Sequence, residues 1–370
     1  MSEVLTVYLK PTNYCNVGCD HCYLSEATRA EKNKLSLNKL EIVCKRIKEL
    51  MHSERKKKLH IIWHGGEPLT ISAKTYAEMF DVIDMHFPDH TESMQTSLIP
   101  LKDEHISIIR DRFNFEIGSS IDFSQRKIKG SSERYFDLWL NKVALAREAN
   151  IDVYPGVVPT RNEIGREKEI ISFFIDNNFD YVNFERYNIF GLKEVPSDWP
   201  TNYEHSMFLI ELFNIVMSQV HNQEKTIYIK QIIAGINGVI HGMPGDRWGT
   251  TCQKDFLVIE PDTGVNTCPD RSSHEKHFVK LDQIKSIQEL QQSPLRKSWI
   301  KTQGLHHFNN FCMKCDYRLW CKSGCPIASK FNDGECSGYK LFLNHIKKYR
   351  EASNDNEGRL IQYARREANE

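Results

Sequence analysis

Cysteine side chains form the most distinctive chemical pattern of this sequence. Cys15, Cys19 and Cys22 lie near the N-terminus with the spacing C-x3-C-x2-C. Seven of the eleven cysteines fall within residues 252–336, and these are Cys252, Cys268, Cys312, Cys315, Cys321, Cys325 and Cys336. Thiolates at such short spacings are typical ligands of zinc ions and iron–sulfur clusters. The sequence therefore points first to metal chemistry.

The state of these thiols depends on where the chain resides. The first ten residues lack a basic start followed by an apolar stretch, so they do not indicate a signal peptide. No apolar run approaches the roughly 18 residues of a membrane helix. We expect a cytoplasmic protein, in which cysteines stay reduced and clusters of them bind metal or take part in catalysis. The odd cysteine count also opposes a secreted disulfide framework.

The first cysteine group could hold either of two kinds of metal centre, an iron–sulfur cluster or a zinc ion. Three thiolates can hold three irons of a [4Fe–4S] cluster, whose complete ligation takes four cysteines, and the fourth iron is then open to another ligand. A structural zinc site requires a fourth protein ligand. His21 lies between two of the cysteines and is a poor candidate for that ligand.

Predicted strands and helices alternate along the first half of the chain, and they must position the first cysteine group. Strands are predicted at residues 4–10, 59–63, 93–97, 115–121, 151–158 and 180–185. Helices are predicted between them at residues 36–52, 72–87, 103–111, 133–149 and 165–177. This alternation predicts an α/β fold with a parallel sheet, a partial (βα)6 TIM-like barrel with its chemistry after the strand ends. In the helix at 36–52, Leu40, Val43, Cys44, Ile47 and Met51 share one face, so Cys44 is predicted to be a core residue.

The rest of the chain changes character several times. The predicted domains are a barrel at 1–200, a helical bridge at 201–245, a small cysteine-rich domain at 246–340 and a solvated C-terminal helix at 341–370. Residues 256–268 predict a hairpin around a Pro261–Gly264 turn.

The charges of the whole chain are balanced. Lys plus Arg equals Asp plus Glu, at 49 each, so the net charge is zero. That balance argues against binding of nucleic acid or an anionic membrane through the whole surface.

Motifs that follow the predicted strands identify a family resemblance. The C-x3-C-x2-C segment is followed by Tyr23, and the sequence Gly65-Gly66-Glu67 comes directly after the second strand. Together with a Ser-x-Asp segment after the fourth strand, these motifs resemble those of the radical SAM superfamily. The resemblance implies that Cys15, Cys19 and Cys22 hold a [4Fe–4S] cluster. It also implies that S-adenosylmethionine (SAM) binds at the open iron and is cleaved reductively to a 5′-deoxyadenosyl radical. The SAM-binding residues carried over in this way are Tyr23, Gly65, Gly66, Glu67, Ser120, Asp122 and Arg126.

Two segments depart from the family pattern. Residues 95–97, Gln-Thr-Ser, stand where many relatives have Thr-Asn-Gly, which leaves the SAM contact of the third strand undefined. The loop before Arg126 is short compared with the loop that precedes the SAM-binding arginine of the family.

The C-terminal cysteines resemble the SPASM extension of radical SAM enzymes, which carries two auxiliary iron–sulfur clusters. The resemblance implies one cluster held by Cys312, Cys315, Cys321 and Cys336. It implies a second one held by Cys252, Cys268 and Cys325, with an open iron or a ligand other than cysteine. The alternative, a zinc ribbon, fits less well because seven thiolates do not divide into whole four-cysteine sites. Three [4Fe–4S] clusters are therefore expected.

The resemblance implies a function as well. The leading hypothesis is an enzyme that oxidises a C–H bond of a ribosomally made peptide or protein, forming a crosslink, a thioether or an oxidised side chain. Asp270 is the candidate base that takes up the proton, although an ordinary turn aspartate is as good an interpretation. The alternatives are an oxidase or epimerase of a small molecule such as an aminoglycoside, and a metal-binding scaffold without catalysis. The SAM motifs argue against the scaffold.

Partners follow from the same hypothesis. We expect a peptide or protein substrate and an electron donor such as flavodoxin or ferredoxin. The first strand begins at about Val4, so no N-terminal recognition domain of the kind seen in peptide-modifying relatives is expected. The enzyme is then expected to recognise its substrate directly, and the alternative is a separate peptide-recognition protein.

Overall fold

The computed structural model describes residues 3–188, 195–243, 245, 248–249, 255–269, 277–298, 311–325 and 334–365. Its strands are β1 (Val4–Leu9), β2 (Gly18–Cys19), β3 (Lys58–Trp63), β4 (His90–Thr96), β5 (Glu116–Ser120), β6 (Arg126–Lys127), β7 (Asp152–Val157), β8 (Tyr181–Phe184), β9 (Tyr228–Ile229), β10 (Phe256–Ile259), β11 (Gly264–Asn266) and β12 (Val279–Lys280). Its helices are α1 (Glu26–Ala30), α2 (Leu37–Ser53), α3 (Ala73–His86), α4 (Asp103–Arg112), α5 (Ser132–Glu148), α6 (Glu167–Asp176), α7 (Asn202–Asn222), α8 (Lys230–His241), α9 (Ile287–Gln292), α10 (Arg318–Cys321), α11 (Lys340–Ala352) and α12 (Asn354–Arg365). Short 3-10 turns lie at Pro68–Thr70 and Leu281–Gln283.

The described residues form two compact units. Unit 1 contains residues 3–154, 255–269 and 277–298, and unit 2 contains the remaining ones. The division into domains made from the sequence stays a prediction. Within the part of the chain that the structure describes, no helix is long and apolar enough to cross a membrane.

Unit 1 is built on a sheet in which β10, β1, β3, β4 and β5 are neighbours in that order and run parallel. Helices α2, α3 and α4 connect the strands from β1 to β5. The six strands predicted for the first half of the chain are all present, as are the five helices between them, with ends shifted by a few residues. The predicted α/β class with parallel strands is confirmed.

Helix α2 shows why the sequence adopts this local structure. The side chain of Ser36 caps its N-terminus by accepting a hydrogen bond from the amide of Lys39. Cys44 is 1% exposed, which confirms its place in the core. One position differs from the predicted apolar face, because Leu50 is buried there and Met51 is only partly covered.

The predicted hairpin is confirmed, and its place in the sheet is new. Strands β10 and β11 pair antiparallel, with Ile259 opposite Val265. Strand β10 also pairs in parallel with β1, with Leu9 opposite Ile259. The hairpin that leads to Cys268 thus extends the parallel sheet of unit 1.

Unit 2 contains a smaller parallel arrangement and most of the C-terminal helices. Strand β8 pairs in parallel with the end of β7 and with β9. The region predicted to be a helical bridge contains α7 and α8, with the short strand β9 between them.

The C-terminal segment differs from the expected solvated helix. It forms two helices, because Ser353 adopts an extended conformation between them (φ −159°, ψ 145°). Phe342, Ile346 and Leu360 are fully buried, so both helices pack one face into unit 2. The prediction of a solvated helix followed from the many charged residues of this segment, although each of its two helices has an apolar face.

Candidate active site

The first cysteine group lies in the segment after β1, and backbone contacts hold that segment in place. The amide of Cys15 donates to the carbonyl of Arg29 (3.0 Å), and the amide of Cys22 donates to the carbonyl of Cys19 (3.3 Å). Cys19 also belongs to β2, which pairs antiparallel with β6. The structure therefore brings the segment after β5 against the cysteine segment, 107 residues away in sequence.

The thiols of this group are partly covered, and one of them lies beside a positive charge. Burial raises the pKa of the Cys15 thiol to about 12 and that of the Cys19 thiol to about 11. The Arg126 guanidinium opposes this effect at Cys19, since its Nη1 donates to Sγ at 3.4 Å. Thiols bind metal as thiolates, so loading this site with metal would release protons.

The spacing of the sulfur atoms bears on the kind of centre they can hold. Among the residues that the structure describes, no three cysteine sulfur atoms all lie within 4.8 Å of one another. A tetrahedral zinc ion with Zn–S bonds of about 2.3 Å needs sulfur atoms about 3.8 Å apart. The described thiols are thus not arranged for a single zinc ion, and the prediction of an iron–sulfur cluster rests on the number and sequence spacing of the cysteines.

The two glycines after β3 lie against the backbone of the cysteine segment. A Cβ atom on Gly65 would lie 2.4 Å from the carbonyl oxygen of Thr12. One on Gly66 would lie 2.3 Å from the carbonyl oxygens of both Asn13 and Tyr14. Gly65 also has a φ of +133°, which L side chains rarely adopt. Close approach of two protein backbones is thus a sufficient reason for glycine here, and a contact of either glycine with SAM stays a prediction.

The Glu67 carboxylate joins the ends of two strands. It is buried and accepts hydrogen bonds from the amides of Leu69 (3.0 Å) and Ser97 (2.7 Å). The hydroxyl groups of Thr96 and Ser97 donate to it as well. Thr96 and Ser97 belong to the segment that departs from the family pattern. The sequence had left their contact undefined, and the structure gives them Glu67 as their partner.

The candidate residues after β5 form a polar network around the cysteine segment. Arg126 Nε donates to Asp122 Oδ2 (2.6 Å), and His21 Nε2 lies 3.6 Å from the same oxygen. The hydroxyl of Ser120 accepts a hydrogen bond from Gln95 Nε2 (3.0 Å). The predicted residues Ser120, Asp122 and Arg126 therefore have protein partners, and their contacts with SAM stay predictions.

A buried ion pair at the ends of β1 and β10 was not found by sequence reasoning. Lys10 Nζ lies 2.7 Å from Glu260 Oε1, and their side chains are 1% and 9% exposed. The same ammonium group lies 4.7 Å from the centre of the Tyr23 ring, while the Tyr23 hydroxyl donates to the carbonyl of Gly65 (3.1 Å). Tyr23, which directly follows Cys22, is thus held between the Lys10 ammonium group and the glycine segment. The only sequence signal was a charged residue directly after each strand.

His64 lies beside the glycines as a neutral imidazole. Burial lowers its pKa to about 3, and the positive charges of Lys10 and Arg126 act in the same direction. Its ring packs against Tyr8 with 5.1 Å between ring centres. Nδ1 is buried and has no hydrogen-bond partner among the described residues.

Four cysteines of the second group come together in unit 2. The amide of Cys315 donates to the carbonyl of Cys312 (3.2 Å). Burial, with the charges of these two thiols, raises the pKa of Cys321 to about 12. A Cβ atom on Gly338 would lie 2.8 Å from Sγ of Cys321 and 3.7 Å from Sγ of Cys336. The predicted ligand set of one auxiliary cluster is therefore brought together, and four thiols suit a [4Fe–4S] cluster.

The other auxiliary set stays a prediction. Cys252 and the candidate base Asp270 lie outside the described residues. Cys268 follows β11 in unit 1, and Cys325 belongs to unit 2.

Comparison with known proteins identifies the family. Residues 9–174 match the radical SAM superfamily. The chain carries a radical SAM domain. It is 24% identical over 401 residues to a serine-type anaerobic sulfatase-maturating enzyme of Bacteroides thetaiotaomicron, an alignment that covers 94% of this chain and 91% of the relative.

Two solved structures support the fold of this chain. Native anSMEcpe with bound AdoMet has a TM-score of 0.75 and 17% identity, covering 98% of this chain and 99% of that one. Streptococcus suis SuiB bound to the precursor peptide SuiA has a TM-score of 0.57 and 14% identity, covering 94% and 74%. The predicted TIM-like α/β architecture with a C-terminal domain is confirmed.

The match also confirms the predicted class of protein. The chain is an enzyme with a radical SAM domain, and this family implies a [4Fe–4S] cluster and SAM. The residues of unit 1 fit these groups, because three thiols lie near one another after a parallel strand and a guanidinium contacts one of them, Cys19.

Proposed function

We propose that this radical SAM enzyme oxidises a side chain of a peptide or protein. The observation that carries the proposal is the similarity to a sulfatase-maturating enzyme over 94% of this chain and 91% of the relative. The likeness to SuiB, whose structure holds a precursor peptide, supports the same class of substrate. Which bond is made or oxidised depends on the substrate, and the experiments below test candidate substrates.

In this proposal, Cys15, Cys19 and Cys22 hold the cluster that binds SAM. When bound there together with SAM, the cluster would supply one-electron reductive chemistry and, through SAM, abstraction of hydrogen from the substrate. Arg126 stabilises the thiolate of Cys19 through its 3.4 Å contact. Glu67 holds the ends of β3 and β4 together. Because its carboxylate is engaged within the protein, this segment would meet SAM through backbone groups.

The second half of the reaction requires an acceptor for an electron and one for a proton. We assign the electron to two auxiliary [4Fe–4S] clusters. One is held by Cys312, Cys315, Cys321 and Cys336. The other is held by Cys252, Cys268 and Cys325, with one iron open or bound to another kind of ligand. Asp270 is the proposed proton acceptor. Asp270→Asn should then retain SAM cleavage and lose product, whereas full product formation would exclude the catalytic role.

The experiment that tests the function is an anaerobic incubation of the reconstituted enzyme with SAM, dithionite and a serine-containing sulfatase peptide. The expected result is 5′-deoxyadenosine together with a peptide that has lost two hydrogen atoms, both detected by mass spectrometry. A variant with Cys15, Cys19 and Cys22 all changed to Ala is the control, and it should give neither product. Deoxyadenosine without any peptide change, together with oxidation of an aminoglycoside, would replace the proposal with the small-molecule alternative.

Substrate recognition is tested with the same assay. We propose direct recognition of a short segment around the modified residue. A core peptide should then turn over at a rate comparable to that of its full-length precursor. Turnover that needs a leader segment and a second protein would contradict direct recognition.

A further inference from the structure

Arg186 is a buried cation that the proposed chemistry does not use. It lies two residues after β8 in unit 2, at the carboxyl end of a parallel strand, and it is only 9% exposed. The carboxyl ends of parallel strands form the edge at which α/β barrels carry their chemistry. A guanidinium that is removed from water is costly unless an anion compensates its charge. The position of Arg186 therefore calls for a negatively charged partner.

The protein partners of this guanidinium are all neutral. Nη1 donates to the hydroxyl of Tyr339 (3.3 Å), and Nη2 donates to Oδ1 of Asn202. The guanidinium carbon also lies 5.5 Å from the centre of the Tyr339 ring, a cation–π contact that compensates only part of a buried charge. Within the described residues, no carboxylate forms an ion pair with Arg186. A guanidinium has five N–H donors, so three of them have no acceptor in the described part of the chain.

The acidic side chains near this site are engaged elsewhere. Asn202 is the first residue of α7, whose N-terminal end carries a partial positive charge, and its Nδ2 donates to the carbonyl of Glu335 (3.1 Å). The Glu335 carboxylate accepts hydrogen bonds from three backbone amides before and at the start of α11. Glu204, in the first turn of α7, pairs with Arg161 (3.0 Å). Neither acid therefore neutralises Arg186 through direct contact.

We propose that Arg186 binds a carboxylate group of the substrate, and that this contact selects peptides with an acidic side chain near the residue to be oxidised. The N–H groups of a guanidinium form a planar fork that matches the two oxygen atoms of a carboxylate. Asn202 and Tyr339 each hold one N–H group, which orients the others for a ligand. This inference rests on the proposed function, because it requires a peptide substrate.

The binding test uses the reconstituted full-length enzyme, SAM and labelled peptides that contain the serine of a sulfatase sequence. Each residue that flanks the serine is replaced in turn by Glu and by Gln, two side chains of the same shape that differ in charge. At one position, the Glu peptide should bind the unaltered enzyme about tenfold or more tightly than its Gln counterpart, as measured by fluorescence anisotropy. No preference at any position would overturn the inference.

Three variants then assign the preference to Arg186. Arg186→Gln should abolish it, and Arg186→Lys should keep part of it, because an ammonium group retains the charge but lacks the planar fork. The matched control is Arg166→Gln, which removes the same charge from an exposed arginine of unit 2 that pairs with Glu169 (2.8 Å). The control should keep the full preference, and an equal loss in the control would overturn the assignment. Should Arg186→Gln fail to fold in urea denaturation, an unchanged preference in Arg186→Lys would overturn it as well.

A second measurement separates the substrate from SAM, which also carries a carboxylate. The affinity for SAM, measured by titration calorimetry, should be the same in Arg186→Gln and in the unaltered enzyme, because Arg126 is the arginine predicted to contact SAM. A tenfold weaker SAM affinity with an unchanged peptide preference would assign Arg186 to SAM and overturn the substrate contact. Oxidation of the peptides without any preference for Glu would exclude this inference and leave the proposed function intact. Formation of 5′-deoxyadenosine by the unaltered enzyme without oxidation of any peptide would contradict the proposed function, and this inference with it.

Discussion

The backbone amide of Ser97 donates a 2.7 Å hydrogen bond to the carboxylate of Glu67, and both residues are buried. They lie just after β4 and β3, two neighbouring parallel strands. The contact therefore fixes the distance between two strand ends at the edge that carries the cysteine segment. The Glu67 amide itself donates to the carbonyl of Tyr14 (2.8 Å), which links this contact to the segment before Cys15.

The first prediction concerns this carboxylate. Glu67→Gln keeps the shape of the side chain but turns one acceptor into a donor that faces other donors. We expect the free energy of unfolding to fall by about 2–3 kcal/mol, since a buried group would be left unpaired. Urea denaturation under anaerobic conditions measures this change. Glu78→Gln, at an exposed position of α3, is the control and should leave stability unchanged. Equal stability of the two variants would mean that the network around Glu67 contributes little.

The contacts of Glu67 also show what the sequence could and could not predict. The cysteines and glycines were found because each motif lies within a few residues after a strand, where parallel sheets place their chemistry. The partners of Glu67 lie 29 and 30 residues away, and Lys10 lies 250 residues from Glu260. Such contacts depend on which strands become neighbours, and local patterns do not carry that information.

The C-terminal hairpin illustrates the same limit. Its turn and its two strands follow from the local sequence, since Pro261, Asp262 and Gly264 are typical turn residues. Its pairing with β1 depends on the free edge of that strand, whose residues lie more than two hundred positions earlier in the sequence. The sequence could therefore predict the hairpin but not its place in the sheet.

The second prediction concerns the charge beside the first cysteine group. Arg126→Gln removes the guanidinium that contacts Cys19 Sγ, so the reduced cluster loses a stabilising positive charge. The midpoint potential should become more negative by about 30–60 mV, a several-fold to tenfold change in the reduction equilibrium. Redox titration followed by electron paramagnetic resonance measures it, with this cluster identified by its response to SAM. Lys127→Gln is the control, because Lys127 pairs with the half-exposed Asp20. A shift of equal size in the control would show that the contact with Cys19 is unimportant.

The third prediction concerns the buried pair of Lys10 and Glu260. Lys10→Met leaves a carboxylate buried without its cation and should lower the free energy of unfolding by about 3–5 kcal/mol. The double variant Lys10→Met, Glu260→Met should recover much of this loss, since no charge is left unpaired. The exposed pair Lys57–Glu3 is the control, and Lys57→Met should cost less than about 1 kcal/mol. Additive effects of the two single changes would show that the pair is not coupled.

The last prediction concerns Gly338, which lies beside the thiols of Cys321 and Cys336 in unit 2. A methyl group there would lie 2.8 Å from Sγ of Cys321, a distance that real Cβ atoms essentially never show. Gly338→Ala should therefore displace this sulfur from the position that a four-iron cluster requires. We expect the iron content to fall by about four per chain, with SAM cleavage by the first cluster retained.

The matched control for that change is Gly358→Ala in α12. Nothing lies within 4 Å of a Cβ atom at Gly358, and alanine is the better helix former by about 0.5–1 kcal/mol. This variant should keep all of its iron and be slightly more stable. Iron analysis and electron paramagnetic resonance of both proteins decide the outcome, because a general loss of folding would lower every cluster signal together. Full iron content in Gly338→Ala would contradict the expected displacement of the Cys321 thiol from the cluster. Selective loss of one signal would instead assign that signal to the four cysteines of unit 2.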